Sequence, residues 1–255
     1  IRACFFDHWK SIENIDLQIL KKSKSFCLIH SKEINHPAGS SLNKRVVKAL
    51  NKADFVIANS KFISDILQQQ EGVVPKVIYP FIETVKTQLT DLPTANYITM
   101  VGNANVKGIN TFLKIAKLMP DKNFRIVGQN FQIRQIDNVF YHPFFDDVSE
   151  MFKSTEVLLV PSIWQEAFGK VSIEASSYSI PVIVSDRGGL PETVCTPELV
   201  VEDYLDPVSW VHRIQLVEGD LHQWGYRCKQ HSLKFDVGAE KNKLRSALKA
   251  LVYEG

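Results

Sequence analysis

The 255-residue sequence has no apolar run long enough to cross a membrane. A membrane-spanning helix needs about 18 or more consecutive apolar residues, and every apolar run here is much shorter. The chain also begins without a signal-peptide pattern and without an initiator methionine. We therefore expect a globular, cytoplasmic protein whose first residue, Ile1, begins either a fragment or a naturally short chain.

Cysteine is scarce and scattered. The four cysteines show neither a CxxC pair nor the spacing of metal ligands. This excludes a disulfide scaffold and a zinc ribbon, and it is typical of reduced thiols in the cytosol. We expect no metal site in the chain.

Neither sign of charge predominates, since the chain has 30 Lys and Arg and 28 Asp and Glu. Basic residues do not alternate with aromatic ones, so we expect no nucleic-acid partner. A local exception is the predicted helix that carries Lys44, Arg45, Lys48 and Lys52. A solvated helix face is the ordinary interpretation, and peripheral contact with an anionic membrane is the alternative.

Short apolar runs alternate with helical patterns along the whole chain, which predicts an α/β fold with parallel sheets. The stretch around Pro93 is rich in small polar residues and predicts a linker. We expect domains at residues 1–90 and 91–255, with a last helix at about 238–255 that either stays with the second domain or returns to the first. The predicted strands are Ala3–Phe6, Phe26–Ile29, Phe55–Ala58, Val77–Tyr79, Tyr97–Val101, Asn123–Gly128, Val139–Tyr141, Val157–Val160 and Pro181–Ser185.

The stretch from Val160 to Val194 organises the second half. The run that ends at Val160 predicts a strand buried on both faces, and Lys170 begins a predicted helix that reaches about Tyr178. Strand, loop, helix and strand form a parallel crossover unit, and such sheets bind ligands beyond the carboxyl ends of their strands.

Two carboxylates, Glu166 and Glu174, lie eight positions apart in this unit. Between them, Phe168, Gly169 and Lys170 form the junction from loop to helix, where free backbone N–H groups favour an anion. Carboxylates accept from hydroxyls and amides donate to phosphate, so the pattern suits a hydroxylated ligand that carries phosphate. Solvated residues at a helix end are the alternative interpretation of the two glutamates.

A second candidate phosphate loop follows the predicted strand Tyr97–Val101. Gly102 and Gly108 bound a loop that contains Lys107 and leads into a helix predicted at Ile109–Met119. By itself this pattern is common in α/β proteins. The predicted strand that ends at Gly128 is a third strand whose carboxyl end could border the phosphate site.

The second half resembles a known family. Its residues follow the pattern PSxxxEAFGxxxxEAxxxxxPVIxSxxGGxPE from Pro161 to Glu192. This resembles the signature of retaining glycosyltransferases of family 4, whose fold is GT-B, two Rossmann-like domains facing a cleft. The resemblance implies transfer of a sugar from a nucleotide-diphosphate sugar, UDP- or GDP-linked, without a further cofactor. We expect no metal, because no DxD-like pair lies beside the predicted phosphate loop. The implied acceptor is a glycan, a lipid-linked molecule or a small molecule.

The resemblance also implies roles for single residues. Glu166 falls nearest the reacting centre, and His30, at the end of a strand, contacts the donor sugar. His8 and His36 are weaker candidates. Phe144 and Phe145 stack on the base or pack in the core. The implied donor-binding residues are Gly102, Asn103, Lys107, Gly128, Phe168, Gly169, Lys170, Val171 and Glu174.

The chain departs from the family at two points. The family carries an arginine beside the diphosphate where this chain has Asn103, and it supplies three strands and a glycine-rich loop before the strand at Ala3. We therefore expect a shortened N-terminal acceptor domain. A nucleotide-sugar-binding relative without transfer activity is the alternative function, and another GT-B enzyme, such as an epimerase or a phosphorylase, is a more distant one.

Overall fold

The computed structural model describes residues 2–13, 23–30, 40–69, 73–85 and 96–253. The chain divides into two compact units. The N-terminal unit comprises Ile1–Phe81, Glu166–Phe168 and Val237–Gly255, and the C-terminal unit comprises Ile82–Gln165 and Gly169–Asp236. The linker predicted around Pro93 and the candidate His36 lie outside the described residues.

The N-terminal unit contains a parallel sheet in the order β1-β2-β3-β4. Val46, Leu50 and Ile63 lie on its helices and pack in one core with the strand residues Cys27 and Val56. Residues alternate between the two faces of a strand, so Cys27 and Val56 face these helices while Phe26 and Phe55 face the other way. The elements are β1 (Arg2–Phe6), α1 (Trp9–Glu13), β2 (Ser23–Ile29), α2 (Ser41–Leu50), β3 (Phe55–Ala58), α3 (Lys61–Gln68) and β4 (Lys76–Val77).

The last helix of the chain belongs to the same unit and spans Val237–Tyr253. Glu240 on this helix is fully buried. One of its carboxylate oxygens accepts the backbone N–H of Tyr79 at 2.9 Å, and the other pairs with the Lys243 ammonium. A buried charge is tolerated when it is paired and hydrogen-bonded, so Glu240 fastens this helix to the segment after β4.

The strands of the C-terminal unit are β5 (Tyr97–Val101), β6 (Asn123–Val127), β7 (Arg134–Ile136), β8 (Val139–His142), β9 (Thr155–Val160), β10 (Val182–Ser185) and β11 (Val200–Val201). They form a seven-stranded sheet in the order β11-β10-β9-β5-β6-β8-β7. All of its pairings are parallel except that of β7 with β8. The helices of this unit are α4 (Ile109–Leu118), α5 (Val148–Lys153), α6 (Lys170–Ser177), α7 (Pro207–Glu218) and α8 (Leu221–Ser232), and the chain's last helix is α9.

The predicted strands are present with boundaries shifted by up to three residues, because apolar runs bounded by polar residues define buried strands well. Strands β7 and β11 were not among the predicted strands. Arg134, Gln135 and Ile136 of β7 are exposed edge residues and bury no apolar face, and β11 has only two residues.

Two helices of the C-terminal unit begin differently from the others. Helices α5, α7 and α8 begin after Asp147, Asp206 and Asp220, whose carboxylates accept N–H groups of the first turn. Helices α4 and α6 begin after Gly108 and Gly169, which have no side chain to cap the turn. The first N–H groups of these two helices therefore lack the side-chain acceptor that the other three have.

The basic helix α2 uses its apolar residues in the core and points its cations outward. Lys44, Arg45 and Lys48 are exposed, but the Arg45 guanidinium pairs with Glu13 at 2.8 Å. Lys52 donates to the backbone oxygen of Glu13 at 2.6 Å. Among the described helices, none combines the length and the apolar character that crossing a membrane requires.

Candidate functional site

Loops after neighbouring strands of the C-terminal sheet are tied together at its carboxyl edge. The loop after β9 donates to the loop after β5, because the N–H groups of Ile163 and Trp164 reach the Val106 oxygen at 2.9 and 3.2 Å. From the end of β10, the Ser185 hydroxyl donates to the Ser162 oxygen at 2.7 Å. Arg187 Nε donates to the Ile163 oxygen at 2.9 Å. This edge is where parallel sheets bind ligands.

The loop after β5 carries Lys107 and closes at Gly108. Gly108 has φ +85°, and a Cβ at this position would lie 1.8 Å from the Pro161 oxygen. No side chain fits there, so the contact with the loop after β9 requires glycine. The Lys107 stem lies over Gly102, with its Cγ 3.3 Å from where a Cβ of Gly102 would be. The predicted phosphate loop is therefore a defined structure built on two close backbone approaches.

Helix α6 begins at Gly169, in the left-handed conformation with φ +113°. A Cβ there would lie 2.6 Å from Leu190 Cδ2, on the 3₁₀ turn Leu190–Thr193 that follows β10. The N–H groups of Lys170 and Val171 precede the first intrahelical hydrogen bonds, and the helix dipole places partial positive charge at this end. The predicted junction thus has the features of an anion-binding helix N-terminus.

Glu174 is half-exposed and forms an ion pair with a neighbouring lysine. The Lys170 ammonium lies 3.2 Å from Glu174 Oε1, in an i,i+4 pair on α6. The structure therefore brings Gly169, Lys170, Val171 and Glu174 together on one helix of the C-terminal unit.

Asn103 has a structural partner in the same loop cluster. Its amide Nδ2 donates to the Gln129 backbone oxygen at 2.9 Å, and a Cβ on Gly128 would lie 2.8 Å from Asn103 Cβ. Asn103 and Gly128 thus join the loops after β5 and β6. In the sequence, Asn103 is distinguished only by standing where the family has an arginine. The hydrogen bond by which Asn103 links the two loops could not be predicted from the sequence.

The two phenylalanines after β8 differ in their surroundings. The Phe145 ring stacks on the His142 imidazole at 3.9 Å between centroids, and it packs against the core of the unit. Phe144 is exposed. Of the two, only Phe144 has an exposed ring.

The first carboxylate of the motif lies in the other unit. The segment Glu166–Phe168 groups with the N-terminal unit. There the Phe168 ring packs on Tyr79 at 5.2 Å between centroids, and Ala167 contacts the core. Phe168 is buried and Glu166 is half-exposed. The sequence assigned the whole motif to the second domain; the structure divides its two glutamates between the units.

His30 follows β2 directly and is exposed. It lines a cavity of about 260 Å³ within the N-terminal unit, whose other walls include Leu28, Ile57 and Leu244. His8 is half-buried and its Nδ1 accepts the Lys10 N–H at 3.1 Å. His30 is therefore the histidine that the described structure places beside a cavity at a strand end.

Within the described ranges, no three His, Cys, Asp or Glu side chains cluster closely enough to hold a metal ion. The expectation of a metal-free site stays a prediction.

Two residues that the sequence did not single out shape the site. Ser185 and Arg187 hold the loop after β9 from the neighbouring strand β10. The sequence feature that could have identified them is a polar residue at or just after the carboxyl end of a buried strand. A side chain at that position can reach the adjacent loop. Arg187 also stacks on the Tyr204 ring at 5.2 Å.

A family model for glycosyl transferases group 1 matches residues 82–231, which is more than half of the chain. The chain belongs to this family. Among curated relatives, D-inositol 3-phosphate glycosyltransferase of Corynebacterium diphtheriae is 32% identical over 105 residues. The match covers 40% of this chain and 24% of that relative's length.

Solved structures of glycosyltransferases share the fold of this group 1 chain. Sucrose-phosphate synthase of Thermosynechococcus elongatus aligns with a TM-score of 0.80 at 20% identity, over 99% of this chain and 74% of that one. The Anabaena protein HepE, solved in complex with UDP-glucose, aligns with a TM-score of 0.76 at 17% identity, over 97% of this chain and 78% of that one. The α/β fold of the GT-B type is confirmed.

Proposed function

We propose that this group 1 family member transfers a glycosyl group from a nucleotide-diphosphate sugar to an acceptor, with retention of anomeric configuration. The observation that carries the proposal is the uncapped N-terminus of α6 at the carboxyl edge, with Lys107 on a loop tied to the same edge. Together they offer the donors and the positive charge that a diphosphate requires.

Five residues have separate roles in donor binding in this proposal. The N–H groups of Lys170 and Val171, with Lys107, hold the diphosphate and stabilise it as a leaving group. Glu174 accepts hydroxyls of the ribose, and Phe144 stacks on the base. Support for a UDP-linked donor comes from HepE, which was solved with UDP-glucose. GDP-linked sugars are the second choice.

Glu166 and His30 act on the transferred sugar. Both lie in the N-terminal unit, where we place acceptor binding as well. The carboxylate of Glu166 accepts sugar hydroxyls near the reacting carbon, and the His30 imidazole donates to the sugar. The acceptor is a glycan, a lipid-linked molecule or a small molecule, and contact of Lys44 and Lys48 with an anionic membrane surface remains part of the proposal.

The experiment that tests the donor site compares two glutamates. In titration calorimetry with UDP, Glu174→Ala should weaken binding roughly ten- to a hundredfold, because a charge-assisted hydrogen bond to a buried partner is worth about 1.5–3 kcal/mol. Glu166→Ala is the matched control and should leave UDP affinity nearly unchanged. Equal losses in both variants would contradict the assignment. A thermal-shift screen of UDP-, GDP- and ADP-glucose selects the donor base beforehand.

We expect activity without a divalent metal. Lys107 and the helix-end amides supply the positive charge that a metal ion would otherwise provide. Turnover of the nucleotide sugar should therefore be the same before and after treatment with EDTA. Loss of activity that Mg²⁺ or Mn²⁺ restores would contradict this prediction.

Replacing Asn103 by arginine should tighten UDP binding by about 1–2 kcal/mol, within the range for hydrogen bonds to charged groups. The variant loses the neutral bond to the Gln129 oxygen and gains a guanidinium beside the diphosphate. The Cβ at position 103 is already present in Asn103, and the lack of a Cβ at Gly128 leaves room for it. Calorimetry with UDP and with uridine measures the effect, and uridine affinity should not change.

Asn105→Arg is the matched control, because it adds the same charge to the same loop on the 3₁₀ turn Asn105–Lys107. Tighter UDP binding in Asn103→Arg alone supports a local contact. Equal gains in both variants would indicate only a general effect of charge and would count against Asn103 as a phosphate neighbour.

A relative that binds nucleotide sugars without transferring them is the alternative. The replacement of the family's arginine by Asn103 favours it. UDP-sugar binding with no consumption of the donor, under conditions that keep the protein folded, would establish this alternative instead.

A further inference from the structure

Two cysteines far apart in the sequence meet in the C-terminal unit, outside the proposed donor site. Cys195 lies just after the 3₁₀ turn Leu190–Thr193, and Cys228 lies on α8. Their sulfur atoms are 3.9 Å apart, and both are free thiols. A disulfide needs about 2.05 Å between the sulfurs, so a rotation or small shift of about 1.9 Å closes the bond.

We propose that Cys195 and Cys228 form a reversible disulfide, with Cys195 as the cysteine that reacts first with a low-molecular-weight disulfide. The two residues differ in access in the way that such a pair requires. Cys195 lines an open cavity of about 350 Å³ with Thr196 and Pro197 among its other walls. Cys228 is buried, so it reaches an external reagent only through Cys195.

The electrostatics agree with this order of reaction. The hydrogen bond from Cys228 lowers the pKa of Cys195 to about 7, partial burial opposes the shift, and the positive charge of Arg227 adds to it. The same hydrogen bond and burial raise the pKa of Cys228. The thiolate is the attacking species in disulfide exchange. By contrast, burial raises the pKa of Cys27, in the other unit, to about 12.

The disulfide exchange between the two cysteines and the reagent takes place in two steps. The Cys195 thiolate attacks one sulfur of the reagent, forms a mixed disulfide and releases one thiolate. Cys228 then loses its proton to that thiolate or to water, and its sulfur attacks Cys195 Sγ, which expels the second thiolate. The protein loses two protons and two electrons, and the reagent gains both and is reduced to two thiols.

The bond would fix a wall of the proposed donor site. Leu190 and Thr193, on the turn before Cys195, pack against Gly169 at the start of α6. The turn already contacts α8, because His231 Nε2 lies 3.2 Å from the Glu192 oxygen, and α8 packs on α6. A disulfide adds a covalent link between the turn and α8 to these noncovalent contacts.

The test treats the full chain with 2-hydroxyethyl disulfide, an uncharged reagent chosen because Asp186 and Glu202 also line the cavity. Remaining thiols are then blocked with iodoacetamide, and peptides are mapped by mass spectrometry. We expect a Cys195–Cys228 crosslink, unmodified Cys27, and reversal by dithiothreitol. The oxidised chain should melt roughly 5–10 °C higher than the reduced chain.

Three variants separate the steps. In Cys228→Ala the reaction should stop at the mixed disulfide on Cys195. In Cys195→Ser, Cys228 should stay unmodified, and in Cys4→Ser the crosslink should form as in the unaltered chain. The proposal fails if the unaltered, folded chain keeps the mixed disulfide on Cys195 without crosslinking, or if Cys4 reacts faster than Cys195.

Discussion

Replacing Glu166 by alanine is expected to lower the kcat of glycosyl transfer by about 10²–10³-fold, the loss typical of removing one group that stabilises charge at a reacting centre. Glu166 lies half-exposed on a loop held by the packing of Phe168 on Tyr79. The carboxylate therefore lies on a segment that is held in place by this packing. Its removal should lower catalysis without disturbing the contact between Phe168 and Tyr79. The measurement is steady-state consumption of the nucleotide sugar, with calorimetry of UDP binding beside it.

Two further variants make the Glu166 result specific. Gln165→Ala changes the neighbouring side chain on the same loop and should retain most of the activity. Glu166→Gln keeps the size and a hydrogen-bond acceptor but not the charge, so its kcat should fall between those of the alanine variant and the unaltered chain. A kcat that stays within tenfold in Glu166→Ala would contradict the role given to this carboxylate.

Replacing Gly108 by alanine is expected to be the most destabilising single substitution in the candidate site. The new Cβ would lie 1.8 Å from the Pro161 oxygen and 2.6 Å from its carbonyl carbon, on a residue with φ +85°. Both neighbours are backbone, so a rotamer change cannot relieve the clash. We expect a loss of about 3 kcal/mol or more in the free energy of unfolding, the sum of left-handed strain and overpacking.

Thermal unfolding checks this result, and a loss of that size corresponds to a fall of roughly 6–12 °C in Tm. Gly219→Ala is the matched control. Gly219 follows α7 with φ −59°, and a Cβ there would meet no atom closer than 3.3 Å. A Gly108→Ala protein as stable as Gly219→Ala would show that the loops after β5 and β9 do not meet as described.

Much of the fold could be predicted because buried strands have a simple signature. Tyr97–Val101 and Phe55–Ala58 were predicted with their observed boundaries, since each is an apolar run with polar ends. The edge strand Arg134–Ile136 has no such signature, because its side chains are all exposed.

The candidate site was predictable only in part, for a physical reason. Lys107, Gly169 and Glu174 could be chosen because phosphate and hydroxyl recognition demands those residue types near helix starts. Which unit a loop joins depends on packing between residues distant in the sequence, such as Phe168 with Tyr79. The link from Asn103 to the Gln129 oxygen, and the approach of Cys195 to Cys228, are likewise properties of the folded chain that spacing does not encode.

The central claim is that the chain cleaves the bond between a sugar and a nucleoside diphosphate with retention. Proton NMR of the anomeric signal tests this most directly, during incubation of the protein with the tightest-binding nucleotide sugar and a panel of acceptors. We expect loss of the donor's anomeric signal and appearance of a product, transferred or slowly hydrolysed, with the same anomeric configuration at first appearance. With Glu166→Ala both changes should be slowed by about 10²–10³-fold. A product of inverted configuration, or a donor that binds and is never consumed, would contradict it.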